Sequence, residues 1–328
     1  LIIRVSKLAA AIDHSVVDYS GDLIADRRYQ YGRDLAGRGD FSAAADLFAQ
    51  AIEAAPTFAP AWFALGESRG QLGDRAAAAA AFREALRHDP ADRLGAALHL
   101  ARLGEADAAA AMSAAYVRTL FDQYASRFDD ALEGLAYRGP ARLRAAVEAA
   151  RRGPNSRFGA VLDLGCGTGL AGAAFRSLVG RLTGVDLSAG MVEQARAKGL
   201  YDRLETAELL EFLAAEEGRD ARYDLVIAAD VFVYLFDLRP VVAAVAAVLE
   251  PGSLFAFTVE THGGDGVELG EKLRYRHGAN HVSGAIAAAG LRLVELSSTA
   301  TRTEARQGVP GLLVVATRPD DDNGTPAR

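Results

Sequence analysis

The chain has 328 residues, half of them hydrophobic and 24% charged, with a formal net charge of −7 at pH 7. Its length exceeds that of an average domain and predicts two, and its composition is that of a globular chain with apolar material for sizeable cores. The negative charge and the lack of an extended basic run argue against nucleic acid as a partner, and no apolar run approaches the length of a membrane span.

Leu1 to Ile12 is apolar but interrupted by Arg4 and Lys7, which makes it a poor signal peptide. Cys166 is the single cysteine and cannot form an internal disulfide, so a reducing, cytoplasmic setting is expected.

An internal repeat organises the first third. Gly32, Ala44, Phe48, Ala51 and Pro56 recur as Gly66, Ala78, Phe82, Ala85 and Pro90, each 34 residues later. This is the tetratricopeptide (TPR) period, and Trp62-x2-Leu65-Gly66 resembles the opening of that pattern, although Arg28 stands at the corresponding tryptophan position of the first repeat. The small residues let two helices approach, the phenylalanine fills the gap, and the proline ends the second helix. A shorter, degenerate pair is expected from Arg93 to Ala115, so residues 20 to 115 read as an all-α helical-repeat domain. The residues leave its use open between a surface for a partner protein or peptide, a homodimer contact and a face that only packs.

From Tyr116 onward apolar and aromatic residues at 117, 120, 121, 124, 128, 131 and 132 follow one helical stripe. A second helix, Pro140 to Arg151, precedes the Gly153-Pro154 turn. Strand signals then appear at 160 to 164, 181 to 186, 203 to 208, 223 to 229, 254 to 260, 292 to 298 and 311 to 317, the first five alternating with helices. Such alternation predicts a doubly wound, Rossmann-like α/β sheet of seven strands whose last pair is antiparallel. Ligands of these sheets sit beyond the carboxyl ends of the strands.

The first strand runs into Asp163-Leu164-Gly165-Cys166-Gly167-Thr168-Gly169. Glycines at 165, 167 and 169 allow a sharp turn and a close ligand approach, and the third arrives one residue too early for the dinucleotide pattern G-x-G-x-x-G. The stretch resembles motif I of the class I S-adenosylmethionine (SAM) dependent methyltransferases, an acid followed by G-x-G-x-G. Residues 116 to 318 form the region of that resemblance, and 319 to 328 read as a disordered tail. TPR repeats ahead of such a core also resemble a group of bacterial predicted methyltransferases.

The resemblance implies SAM as cofactor, S-adenosylhomocysteine as product, and a set of site residues. Asp163, Gly165, Cys166, Gly167 and Gly169 form the cofactor turn. Asp186, at the end of the second strand and followed by Leu187 and Met191, matches the acid that binds the ribose diol. Glu208 and Leu209 stand where the adenine is held, and Tyr124, in the Tyr-Ala-x2-Phe-Asp element, is placed to reach the methionine end. Asp230 ends the fourth strand near both cofactor and acceptor, with Phe232, Tyr234 and Tyr275 as pocket walls. Asp230, Glu260, His262 and His277 are the candidate bases.

Thr261 to Gly270 contains four glycines and is expected to be a mobile loop closing the acceptor site. His277 and His281 at four-residue spacing would share a helical face, but no third ligand accompanies them and no metal is assigned. The implied reaction is methyl transfer to an N or O nucleophile of a small-molecule acceptor. The alternatives are a protein methyltransferase that recruits its substrate through the TPR module, and a non-catalytic TPR adaptor with a SAM-binding scaffold.

Overall fold

The structure is a computed structural model that describes residues 19–151, 157–304 and 307–320, so the expectations for Leu1 to Ile12 and for most of the polar tail lie outside the described residues. Contacts divide the described chain into two units, residues 19–123 with 271–273, and residues 124–270 with 274–320. The division falls after Gln123, a few residues beyond the position drawn from sequence.

The first unit is built of helix hairpins: α1 (Leu23–Gly37) with α2 (Phe41–Ala54), and α3 (Ala59–Gln71) with α4 (Arg75–His88). Asp22, Asp40 and Asp74 cap α1, α2 and α4, accepting hydrogen bonds from first-turn amides that would otherwise lack partners. Gly39 and Gly73 take φ of +86° and +82° at equivalent turns, which is why glycine stands at both.

Between paired helices the spacing of the repeat becomes a packing rule. A Cβ on Gly32 would lie 2.6 Å from Phe48 Cε1, and one on Gly66 would lie 2.7 Å from Phe82 Cε1. Tyr29 packs on Phe48 and Phe63 on Phe82, with ring centroids 5.7 and 5.4 Å apart. α5 (Ala96–Arg102) packs on α4, and α6 (Ala114–Tyr124) follows after a 3-10 turn at Ala108–Ala110, adding Tyr116 and Leu120 to the same core.

The second unit opens with α7 (Phe128–Glu133) and α8 (Gly139–Ala150). Its sheet begins β1 (Phe158–Leu164), α9 (Leu170–Phe175), β2 (Val179–Asp186), α10 (Ala189–Ala197), β3 (Arg203–Thr206), α11 (Leu209–Gly218) and β4 (Tyr223–Ala228). It continues α12 (Arg239–Val248), β5 (Leu249–Thr261), β6 (Val267–Leu269), β7 (Tyr275–His277), α13 (Ala279–Ala288) and β8 (Arg292–Thr299). It ends with the short strands β9 (Thr303–Glu304) and β10 (Gln307–Gly308), which pair with each other, and β11 (Gly311–Thr317).

The strand order is β3-β2-β1-β4-β5-β11-β8, parallel except for β11, which runs antiparallel to both neighbours. Val161, Leu162 and Leu164 of β1 and Leu225, Val226, Ile227 and Ala228 of β4 are fully buried, because helices cover both faces of the sheet. Leu143, Val147 and Phe175 fill one face, and Phe212, Val241, Val245 and Ile286 the other. The order reverses between β1 and β4, so the ligand crevice of this topology lies beyond Leu164 and Ala228.

The expected seven-stranded path with its antiparallel last pair is present, and two short strands extend the sheet, β6 pairing with β7 and β7 with the end of β5. Two expectations need correction. The stretch expected to be a mobile loop is partly strand: Thr261 ends β5 and Val267–Leu269 forms β6, with a turn over 262–266 between them, and Thr261 Oγ1 donates to the His277 carbonyl at 2.7 Å. The third strand stops at Thr206 because Glu208 already caps α11. Among the described residues no helix is long and apolar enough to cross a membrane.

The close approach at Gly66 generates a direct expectation. Gly66→Ala should destabilise the helical unit by about 1–3 kcal/mol, because a methyl group must displace the Phe82 ring. Gly37→Ala, whose Cβ would meet nothing within 4 Å, should stabilise it by roughly 0.5–1 kcal/mol. Denaturant unfolding followed by circular dichroism measures both, and equal effects of the two alanines would exclude the packing explanation.

Candidate active site

The turn after β1 is shaped by three glycines with three different surroundings. Gly165, Gly167 and Gly169 all have positive φ, at +63°, +53° and +90°. A Cβ on Gly165 would lie 2.7 Å from Val231 Cγ1, and one on Gly169 would lie 3.1 Å from Tyr201 Cε2. A Cβ on Gly167 would meet nothing within 4 Å. Two of the glycines thus admit protein side chains, and Gly167 is the one that faces open space.

Hydrogen bonds hold the turn. Gly167 N–H donates to Asp186 Oδ2 and Ser188 N–H to Asp186 Oδ1, each at 2.9 Å, so the acid at the end of β2 joins the turn to the start of α10. Cys166 N–H donates to the Val185 carbonyl at 2.9 Å. Thr168 Oγ1 donates to Asp129 Oδ1 at 2.5 Å, and Lys198 Nζ to Asp129 Oδ2 at 2.6 Å. Asp129 is the acid of the Tyr-Ala-x2-Phe-Asp element, so that element is tied to the glycine turn.

Beneath the turn, Asp163 is fully buried and accepts from Tyr201 Oη at 2.6 Å. Burial raises its pKa to about 7; the Tyr201 hydroxyl and the Gly172 amide pull it down and the Asp186 charge pushes it up. The Cys166 thiol is raised well above its ordinary value by burial and by the two carboxylates, so it stays protonated and fills space.

On the other side of the switch point, Asp230 takes a left-handed φ of +57°, unusual for a residue with a Cβ. Its N–H donates to Thr258 Oγ1 at 2.9 Å, and its carboxylate accepts from Thr258 Oγ1 at 2.8 Å, Thr301 Oγ1 at 2.9 Å and Arg302 Nη1 at 3.0 Å. Arg302 also donates through Nη2 to Glu260 and through Nε to Glu304. Arg274 donates to Glu260 at 2.5 Å and to Glu304 at 2.8 Å.

Burial would lower the Arg302 pKa, but Asp230, Glu260 and Glu304 outweigh it and raise it, so this guanidinium stays charged. For Glu304 burial acts to raise the pKa, and Arg274 and Arg302 bring it below the ordinary carboxylate range. Tyr137 and Tyr234 lie in the field of the same network, and burial raises both phenols, which therefore remain donors at neutral pH.

Comparison with known proteins agrees with this geometry. A methyltransferase-domain model matches residues 162–255, and a tetratricopeptide-repeat model matches residues 59–92. Methyltransferase-like protein 27 of Homo sapiens is 40% identical over 100 residues, 30% of this chain and 40% of that relative's length. O-methyltransferase rstn1 of Aspergillus nomiae is 30% identical over 161 residues, 44% of this chain and 71% of the relative. The chain belongs to the class I SAM-dependent methyltransferases.

The fold is shared with the 1,6-didemethyltoxoflavin-N1-methyltransferase of Burkholderia thailandensis, solved with 1,6-didemethyltoxoflavin and S-adenosylhomocysteine. The TM-score is 0.51 at 20% identity, over 63% of this chain and 89% of that one.

Within this methyltransferase the sequence-derived residues fall into two groups. Asp163, Gly165, Cys166, Gly167, Gly169 and Asp186 are gathered at the turn, with Leu187 half-buried beside Asp186, and Asp230, Glu260 and Tyr234 are gathered around Arg302. Tyr124 ends α6 with the Arg127 guanidinium 5.7 Å from its ring centroid, and the turn Ala125–Arg127 packs against α10.

Other residues are placed differently. Met191 is 1% exposed and Phe232 and Tyr275 are 0% exposed, so none offers surface to a ligand; Phe232 packs on Phe255 and Phe257, and Tyr275 on Phe236. The Glu208 carboxylate caps α11 through the Leu210 and Glu211 amides. His262 organises its own hairpin, with its ring nitrogens against the Gly264 amide and the Gly266 carbonyl.

His277 lies in β7 rather than on a helix with His281; it is fully buried and donates from Nε2 to the Leu235 carbonyl at 2.9 Å. Burial lowers its pKa to about 4, which leaves a neutral core histidine and removes it as a base for an acceptor. Asp129, Tyr137, Tyr201, Val231, Arg274 and Arg302 escaped the sequence reading. A signal existed for Tyr201: Gly172 and Gly184, outside the motif, mark space that a large side chain must occupy.

The depressed pKa of His277 sets the sign of a stability effect. Folding favours its neutral form, so its contribution is complete above the unfolded value of 6.5 and is lost as pH falls towards about 4. His277→Gln, which retains a donor for the Leu235 carbonyl, should lose less melting temperature between pH 7 and pH 4.5 than the parent. Identical pH slopes would exclude His277 as the titrating group.

Proposed function

We propose that this methyltransferase transfers the methyl group of SAM to an N or O nucleophile of a small-molecule acceptor. The observation that carries the reading is the open side of Gly167, bordered by Asp186 at the switch point of the sheet. The cradle suits the cofactor: Gly165, Cys166, Gly167 and Gly169 supply a bare backbone surface, Asp186 a carboxylate for a ribose diol, and Asp163 a buried acid beneath. When bound, SAM supplies a methyl group already activated on a sulfonium sulfur.

The chain's contribution is then orientation. Asp230 and Glu260 are held by Arg302, and Glu260 and Glu304 by Arg274, so these carboxylates serve as a rigid polar wall that aligns an acceptor rather than as mobile proton carriers. Tyr137 and Tyr234 add phenolic donors to that wall. With His277 buried in the core and His262 engaged in its hairpin, the reading assigns no dedicated base, and the rate enhancement comes from proximity.

A second reading, a protein methyltransferase, is favoured by the repeat at 59–92, since such modules present surfaces to polypeptides. Cytoplasmic residence is supported by the single, buried Cys166.

Titration calorimetry of the full chain with SAM tests the cofactor. Heat is expected, and Asp186→Ala should weaken binding about ten-fold or more through lost charge-assisted hydrogen bonds. No heat from folded protein at several temperatures would sink the enzyme reading. Labelled SAM added to size-fractionated lysate should mark the small-molecule fraction; label only in the polypeptide fraction would favour the second reading.

A further inference from the structure

One aromatic side chain outside the motif sits under the cofactor turn. Tyr201 lies between α10 and β3, and three glycines from three elements leave room for its ring. A Cβ on Gly169 would lie 3.1 Å from Tyr201 Cε2, one on Gly172 would lie 2.5 Å from Cζ, and one on Gly184 would lie 2.7 Å from Cε1. Its hydroxyl donates to Asp163 Oδ2 at 2.6 Å. Asp163 is fully buried, with the Gly172 amide as a second group that favours its charged form.

We propose that Tyr201 is a positioning residue of the cofactor site, whose ring supports the glycine turn from beneath and whose hydroxyl keeps Asp163 as a carboxylate that balances the positive charge of SAM. The inference rests on the SAM reading above and extends it to a residue that touches the motif acid instead of the ligand. A buried carboxylate without this donor would protonate, because burial disfavours its charged form and the hydroxyl stabilises it.

The groups around Asp163 sharpen the expectation. Asp186 from β2, the Cys166 thiol from the turn, the Tyr137 phenol from the segment before α8, and Tyr201 itself are the titratable groups in its field. Cys166, Tyr137 and Tyr201 are all raised by burial and stay neutral, which leaves Asp186 as the neighbouring charge. The ionisation of Asp163, raised to about 7, is therefore poised near neutrality and sensitive to one hydrogen bond. Raising pH through that value charges Asp163 and should strengthen binding of SAM, which carries one positive charge more than S-adenosylhomocysteine.

The test is titration calorimetry of the full chain with SAM and with S-adenosylhomocysteine between pH 6 and pH 8.5. Tyr201→Phe keeps the ring and loses the donor. It should weaken SAM binding about ten-fold at pH 7, weaken S-adenosylhomocysteine binding less, and move the pH midpoint of SAM affinity upward. A merely structural tyrosine would not shift that midpoint.

Asp163→Asn, which still accepts from Tyr201 but carries no charge, should flatten the pH profile and serves if the phenylalanine variant does not fold. If the parent binds SAM while either folded variant keeps the parental affinity and pH midpoint, the inference on Tyr201 falls and the SAM reading stands. No heat from the parent overturns the SAM reading and the inference with it.

Discussion

Four missing Cβ atoms determine how the catalytic unit is put together. Gly165 admits Val231, and Gly169, Gly172 and Gly184 together admit Tyr201. Through these contacts the turn after β1 is packed against the segment leaving β4 and against the approach to β3. A methyl group at any of the four would meet a side chain at about 3 Å or less, in an interior as dense as a molecular crystal. The geometry at the switch point is thus a consequence of side chains meeting bare backbone, with hydrogen bonds from Asp186 and Asp129 closing the arrangement.

Charge on the two sides of the switch point is handled differently. At the glycine turn Asp163 accepts from the Tyr201 hydroxyl, and Asp186 accepts from the Gly167 and Ser188 amides. Across the switch point Asp230, Glu260 and Glu304 share Arg274 and Arg302. Buried ion pairs recover little net stability after desolvation, so a five-membered network is better read as a device for holding geometry. It sustains the left-handed φ of Asp230, from which the chain runs into Val231 and hence onto Gly165. The proposed arrangement, SAM at the glycine turn and a rigid polar wall across the switch point, suits a reaction whose donor is already activated and whose acceptor needs only alignment.

The helical unit uses the same physics for another end. Gly32 against Phe48 and Gly66 against Phe82 bring paired helices close, and the aspartate caps and left-handed glycines set where each helix starts and stops. Because each hairpin repeats the same contact, the pattern shows at a single period in the chain. The sheet has no such periodicity, and its decisive contacts join residues far apart in sequence.

That difference explains what could be read from the residues alone. The 34-residue period, the alternation of strands and helices, the acid-and-glycine turn and Asp186 at the end of β2 are local patterns, visible because backbone conformation and periodicity are written in neighbouring residues. Phe232, Tyr275, Met191 and His277 looked like site residues because they lie close in sequence to strand ends. Burial, a property of the whole fold, placed them in the core instead. The glycines of Thr261 to Gly270 suggested a loop throughout, but Val267–Leu269 pairs with β7, and pairing partners are not local. Tertiary structure alone decided that Tyr201 stands under the motif, that Asp129 ties to Thr168, and that Arg302 joins Asp230 to Glu260. Each of these contacts links elements between 38 and 72 residues apart, a distance over which the chain carries no pattern of its own.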